Sequence, residues 1–242
     1  MRHVILKDKK ISATQYKAWV KEDTAFWKEY GIETTYEVIE TDYSTYPTFV
    51  DSEGDIRPTD TYLQSLASPI VKKYGEFGFD FIMVMVHQDN WKSDTTPDIK
   101  GDGIWGTNYS YTFGKHCLDY CRWDKNNQAN TFGTAYHERH HSLDAIIKVE
   151  TGVDVNPLLN VSRYDAEITH GGTKPWKYIR YKENLKSLTI MKPHLIKAFA
   201  ERKRKHEEAN KGMMETIISL ATQVVYLLKM QQNKKNGVSD NL

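Results

Sequence analysis

Residues 137 to 141 read His-Glu-Arg-His-His and contain one instance of the pattern H-E-x-x-H. On an α-helix, side chains four positions apart lie on one face, about 40° apart around the axis. His137 and His141 can therefore direct two imidazoles at the same point, with Glu138 beside the first of them. Two histidines and a neighbouring carboxylate suit a Zn²⁺ ion with an activated water. The pattern therefore predicts that this segment is a helix and that one face of the helix lies at a metal site.

Apolar residues at helix-compatible spacing continue on both sides of this motif, and Thr151-Gly152 supplies a stop signal. We therefore expect the motif to lie in the middle of a helix that begins near residue 128, in buried surroundings. The alternative is a surface helix that carries several histidines. The flanking apolar residues are Ala129, Phe132, Ala135, Tyr136, Leu143, Ala145, Ile146, Ile147 and Val149.

This constellation resembles the zincin metallopeptidases, the class defined by H-E-x-x-H on its active-site helix. The resemblance in motif covers five residues and identifies no family within the class. It implies that His137 and His141 are zinc ligands. It also implies that Glu138 is the general base, which takes a proton from the metal-activated water and passes it to the leaving amine. The implied function is that of a zinc-dependent endopeptidase, a hydrolase of peptide bonds with Zn²⁺ as cofactor.

Catalytic zinc usually takes three protein ligands and a water. Metzincins have a third histidine six residues after the second, and here that position is Ile147. Glu150 and Asp154 have the spacing found in thermolysin-like enzymes. However, Glu150 is only nine residues past His141 and belongs to the same predicted helix, so it cannot fold back to the metal.

The segment from residue 163 to 172 remains as the source of a third ligand, because it concentrates three metal-binding side chains before a Gly-Gly turn. We predict His170 as the ligand, since a histidine beside a flexible turn can be aimed inward. Glu167 is the second choice and Asp165 the third. The alternative is that His170 is a loop histidine that binds no metal.

The order of predicted elements is strand, helix, strand, helix, strand, strand and motif helix, which indicates an α/β (α+β) fold with a small mixed sheet and packed helices. The zincin resemblance implies that residues 104–112 form the rim strand of the cleft, where an extended substrate would pair. Gly106 would then allow close backbone approach, whereas the alternative is an ordinary edge strand with a bulge. The predicted strands are 2–7, 33–42, 79–86 and 104–112, and the first two helices are 13–30 and 61–75, the second kinked or split at Pro69.

We expect a zincin-like metallopeptidase domain over residues 1–192, a C-terminal helical extension over 193–231, and a disordered tail over 232–242. The extension carries an apolar stripe with the step pattern of a coiled coil. The stripe either packs on the catalytic domain or, through residues 213–228, contacts a second copy or another protein. Its members are Met214, Ile217, Ala221, Val224 and Leu228.

The net charge and hydropathy of the chain indicate which kinds of partner and location to expect. The net charge of +1 gives no general field that would attract nucleic acid or anionic membranes. No stretch reaches the roughly 20 apolar residues of a membrane span, and residues 213–228, which come closest, contain Glu215 and Gln223. The first ten residues do not resemble a signal peptide. We therefore expect no membrane span and a cytoplasmic protein, with a phage-associated or non-classically released form as the alternative.

Several further residues are candidates for supporting roles. Asp144 either orients an imidazole or is a solvated helix carboxylate. Tyr178 and Tyr181 are candidates for stabilising an oxyanion. His87 and Trp91 follow a strongly apolar strand, where cleft residues often lie, and are equally compatible with structural roles.

The two cysteines, Cys117 and Cys121, are either buried free thiols or one local disulfide. If their segment were helical, the thiols or His116 could approach a second metal.

The substrate of an endopeptidase of this kind would be a protein or peptide, including a peptidoglycan peptide. A second hypothesis is a non-catalytic structural or interaction module with a zincin fold that assembles through its C-terminal helix. A third is a metal hydrolase that cuts a bond other than a peptide bond.

Overall fold

The computed structural model describes residues 1–52, 54, 56–90, 106–124, 128–155 and 182–235. Within these ranges the chain is mixed α/β, which confirms the predicted fold class. In chain order the elements are β1 (Arg2–Asp8), α1 (Ala13–Glu29), β2 (Thr35–Thr41), β3 (Thr48–Val50), β4 (Ile56–Pro58), α2 (Asp60–Tyr74), β5 (Phe81–His87), a short 3₁₀ turn (Gln88–Asn90), β6 (Gly106–Ser110), β7 (Cys117–Trp123), α3 (Gln128–Thr151) and α4 (Lys182–Lys235).

Five strands form one mixed sheet in the order β2-β1-β5-β7-β6. The first four run parallel, and β6 pairs antiparallel with β7 at the edge of the sheet. The strand β5 is buried along its whole length, as its uninterrupted apolar run predicts. Among the strands that the structure describes, β6 lies at the end of this order and has β7 as its one neighbour. The remaining two strands, β3 and β4, form a separate antiparallel pair.

Alternate side chains of the central strands enter two different cores. On β5, for example, Met83 and Met85 join the core that holds α1, α3 and part of α4, while Ile82 and Val84 join the core that holds α2. This alternation follows from the period of two along a strand. The helix α3 packs on β6 and β7, so the motif helix lies beside the edge strand.

The ends of the first two helices agree with their sequence signals. Ser12 caps α1 in a reciprocal pairing with Gln15, and Gly31 follows the helix with a φ of 68°. Gly75 ends α2 at a φ of 74°. The helix α2 continues through Pro69, which excludes the split and leaves the kink as the alternative.

Two elements differ from the sequence predictions. The region before residue 60, where no strand was predicted after residue 42, contains the β3–β4 pair. Cys117–Trp123 is a fully buried strand that the sequence did not predict, because Asp119 and Arg122 interrupt its apolar pattern. Within the range 104–112 that was predicted as a strand, the structure contains β6, which runs from Gly106 to Ser110.

The helix α4 contributes to two compact units, Met1–Arg202 and Lys203–Leu242. In the first unit, the apolar side chains Leu188, Met191, Leu195 and Ala198 are buried in the core. In the second unit, the apolar side chains of the helix are exposed. By length and composition, the Leu188–Asn233 part of α4 could cross a membrane, and it is the one helix among the described residues that meets those criteria.

Candidate metal centre

The described part of the chain contains one group of side chains that could hold a metal ion, His137, Glu138 and His141 of α3. One ligand atom from each of the three lies within 4.8 Å of the others. The Nε2 atoms of the two histidines are 3.0 Å apart, and the ring planes are inclined by 77°. Two nitrogen ligands of a tetrahedral zinc ion are separated by about 3.3 Å, given Zn–N distances of about 2.0–2.1 Å. The donor set and its spacing are therefore those of a group that could hold a metal ion.

The partial exposure of the two imidazoles suits a site that a substrate must reach. His137 and His141 are half-buried, whereas Glu138 between them is only 6% exposed. Apolar residues on the other faces of α3, such as Phe132 and Leu143, are fully buried. The helix is thus held by its core faces and directs both imidazoles to its more open side.

The carboxylate of Glu138 packs against the backbone of the edge strand. A Cβ added to Gly106 would fall 2.4 Å from Glu138 Oε1 and 2.8 Å from Thr134 Cγ2. The close approach predicted at Gly106 was that of a substrate and stays a prediction; within the chain, the group that lies against Gly106 is the carboxylate of Glu138. Burial raises the pKa of Glu138 well above its usual range, and the nearby Asp119 carboxylate raises this pKa further.

A buried polar cluster behind Glu138 joins three elements. Asn108 of β6 donates to Asp119 of β7 at 2.5 Å, and Ser142 of α3 donates to the same carboxylate oxygen at 2.8 Å. Asn108 also donates to the Ser142 hydroxyl at 2.5 Å. Burial raises the pKa of Asp119 to about 6. This cluster fixes the edge strand against the motif helix, and sequence reasoning missed it because its members are far apart in the chain.

The opposite side of the motif helix is held by a buried ion pair. Arg139, inside the motif, makes two hydrogen bonds to Asp23 of α1, at 2.6 and 2.5 Å, and both side chains are 0% exposed. The guanidinium also lies over the rings of Trp19 and Trp27, with its central carbon 5.7 and 5.3 Å from the ring centroids. The nearby hydroxyl of Tyr36 donates to Asp23. These contacts set the rotation of α3 about its axis and so the direction of His137 and His141.

Two other residues of the motif region are placed away from the metal group. His140 is buried, its Nε2 lies 3.2 Å from the sulfur of Met191, and it does not belong to the metal group. Asp144 is only 4% exposed, so its interpretation as a solvated helix carboxylate was wrong. Burial raises the pKa of Asp144 to about 8, and the nearby Asp154 carboxylate contributes.

The cysteines are both free and fully buried, which confirms the first alternative and excludes the local disulfide. They lie on the strand β7, so the helical spacing on which a second metal site depended is wrong. His116 is 1% exposed and packs against the ring of Phe79, at 5.1 Å between centroids. Burial, with the nearby Arg202 cation, lowers the pKa of His116 to about 4.

His87 ends β5, where its backbone N–H donates to Asp8 at 3.0 Å, and it does not belong to the metal group. The other candidates lie outside the described residues. These are the third-ligand candidates His170, Glu167 and Asp165, together with Trp91, Tyr178 and Tyr181.

Comparison of the chain with protein-family models, with curated proteins and with solved structures gave no match. The assignment of the site therefore depends on its own geometry and chemistry.

Proposed function

We propose that this chain is a zinc-dependent endopeptidase of zincin type. The observation that carries the proposal is the 3.0 Å separation of the Nε2 atoms of His137 and His141, with the carboxylate of Glu138 in the same group. Three donors from five consecutive residues converge in this way only when the motif is helical and one face of the helix is accessible.

The architecture around the site supports the same proposal. A small mixed sheet, a motif helix packed on it and an antiparallel edge strand beside that helix match the plan that the zincin resemblance implies. In this proposal an extended peptide would pair with β6 as a further strand of the sheet. A protein or peptide substrate, including a peptidoglycan peptide, fits this mode of binding.

His137 and His141 would hold the zinc through Nε2, and His170 is proposed as the third ligand, with Glu167 or Asp165 as alternatives. Bound zinc would lower the pKa of a water molecule and polarise the scissile carbonyl. Glu138 takes a proton from the attacking water and delivers it to the leaving amine.

The proposal is tested by zinc content and peptide hydrolysis in the full-length protein. We expect about one zinc per chain and turnover of labelled casein or of peptidoglycan. Glu138→Gln should retain the zinc and lose hydrolysis, while Glu22→Gln, a matched change at an exposed position of α1, should retain both. A protein that binds no zinc in zinc-supplemented buffer would contradict the proposal.

A non-catalytic module is the second candidate function, and the exposed apolar side chains of the C-terminal unit favour it. In that case zinc is retained, but no hydrolysis depends on Glu138. A metal hydrolase for another bond is distinguished by Glu138-dependent turnover of a non-peptide substrate.

A further inference from the structure

The side chains of the C-terminal unit change from mostly charged to mostly apolar at Gly212. Before this glycine, the helix is solvated by charged residues that pair four positions apart, Lys203 with Glu207 and Arg204 with Glu208. After it, the next charged residues are Glu215 and then Lys229. The large apolar side chains between Gly212 and Lys229 are more than half exposed, namely Met213, Met214, Ile217, Ile218, Leu220, Val224, Val225, Tyr226, Leu227 and Leu228.

Between Glu215 and Lys229, the polar residues are neutral. Thr216, Ser219, Thr222 and Gln223 occupy the narrower side of the helix, and apolar residues cover about half of its circumference. Two of the hydroxyls are satisfied inside the helix itself. Thr216 Oγ1 donates to the carbonyl of Gly212 at 2.9 Å, and Thr222 Oγ1 donates to the carbonyl of Ile218 at 2.8 Å. Side-chain hydroxyls bonded in this way can enter hydrocarbon without a water partner.

A coiled coil in water leaves these features unexplained. The outer positions of a water-soluble bundle are typically charged, as they are in residues 203–211 of this same helix. Over residues 216–228 no outer position is charged. The contrast between adjacent stretches of one helix indicates that the second stretch meets a different medium.

The dimensions and flanks of the segment fit a lipid bilayer. Residues 213–230 extend about 27 Å as a helix, close to the roughly 30 Å of a hydrocarbon core. Glu215 and Lys229 lie near opposite ends, where long charged side chains can reach the interface.

We propose that residues 213–230 insert into a lipid bilayer and attach the chain to a membrane surface. This inference reverses the expectation from sequence, which counted Glu215 and Gln223 against a span. On the helix, Glu215 lies in the first turn of the segment, and Gln223 is the strongest polar group left in its centre. The proposal does not depend on the metal site, so it can hold or fail independently of the peptidase activity.

The test is flotation of the full-length protein, purified in mild detergent, after reconstitution with vesicles of phosphatidylcholine and phosphatidylglycerol. We expect the protein to float with the vesicles and to resist extraction by high salt and by alkaline carbonate. The double variant Leu220→Lys, Val224→Lys should reduce the ratio of bound to free protein by more than about tenfold, because lysine is disfavoured at the centre of an inserted helix.

The matched control is Ala209→Lys, Asn210→Lys, which adds the same two charges outside the segment. It should float as the unmodified protein does. Purely electrostatic attachment would strengthen in both double variants and would be released by salt, and either result would overturn insertion.

A second readout locates the segment directly. Cys117 and Cys121 are 0% exposed, so an environment-sensitive dye can be attached selectively to Ser219→Cys. Vesicles should protect this dye from an aqueous quencher. If the dye remains accessible and the protein instead forms a defined oligomer that the Leu220→Lys, Val224→Lys variant dissociates, the segment is a self-association surface and the membrane proposal is wrong.

Discussion

The carboxylate of Glu138 and the backbone of Gly106 are in direct contact, because any Cβ at position 106 would come within 2.4 Å of Oε1. The edge strand β6 and the motif helix α3 therefore meet at a point where only a hydrogen atom fits. In the proposed enzyme, this contact sets the distance between the general base and a peptide bound along β6.

The first prediction concerns this contact. Gly106→Ala should displace Glu138 and lower kcat by about a hundredfold, since a misplacement of about 1 Å at a catalytic group has an effect of that size. The zinc content should remain unchanged, because the atoms nearest to the added Cβ belong to Glu138 and Thr134. Gly212→Ala, where the added Cβ meets nothing within 4 Å, is the control and should retain full activity. An active Gly106→Ala enzyme would show that Glu138 is not constrained by β6.

The second prediction concerns the ion pair that holds the motif helix. Asp23→Ala leaves the guanidinium of Arg139 buried without its carboxylate, and we expect the free energy of unfolding to fall by about 3–5 kcal/mol. Urea unfolding followed by circular dichroism measures this change. In the double variant Asp23→Ala, Arg139→Met, no buried charge is left unpaired, so the loss should be smaller than the sum of the two single losses. If the loss in the double variant equalled the sum of the two single losses, Asp23 and Arg139 would not be coupled energetically.

The third prediction concerns acid stability. The pKa of His116 is lowered from 6.5 to about 4 in the folded state, so the unfolded state binds more protons between these values. Above pH 6.5, this histidine does not lower the free energy of unfolding. As the pH falls from 6.5 towards 4, it lowers the free energy of unfolding increasingly, by up to about 3 kcal/mol. His3, also buried with a lowered pKa, acts in the same direction.

Urea unfolding on either side of pH 6.5 tests this effect. His116→Phe keeps a ring against Phe79 and cannot titrate, so its stability should fall less steeply with acid than that of the unmodified protein. His206→Gln, at a partly exposed position, serves as the control. An equal acid sensitivity in His116→Phe would remove His116 as the cause.

The fourth prediction concerns the third zinc ligand. His170→Ala should lower the affinity for zinc by more than about tenfold, since even the loss of a residue that only orients a ligand has an effect of that size. Glu167→Ala and Asp165→Ala should each leave the affinity nearly unchanged. Competition with a chromophoric chelator gives the three affinities. A large loss in one of the carboxylate variants, and not in His170→Ala, would transfer the role to that residue.

The features that depend on neighbouring residues in the chain were predictable from sequence. The convergence of His137 and His141 follows from helix geometry alone, and the burial of β5 follows from its apolar run. The strand β7 was not predictable, because Asp119 is tolerated there only through Asn108 and Ser142. Nor could sequence reveal that Arg139 pairs with Asp23, a residue 116 positions away. These contacts require the tertiary fold, and no local pattern signals them.

The most direct test of the metal centre is anomalous scattering at the zinc edge from crystals grown with zinc. The proposal predicts one strong peak about 2.0–2.1 Å from Nε2 of both His137 and His141. The absence of a peak between these two rings, in crystals that were supplied with zinc, would contradict it.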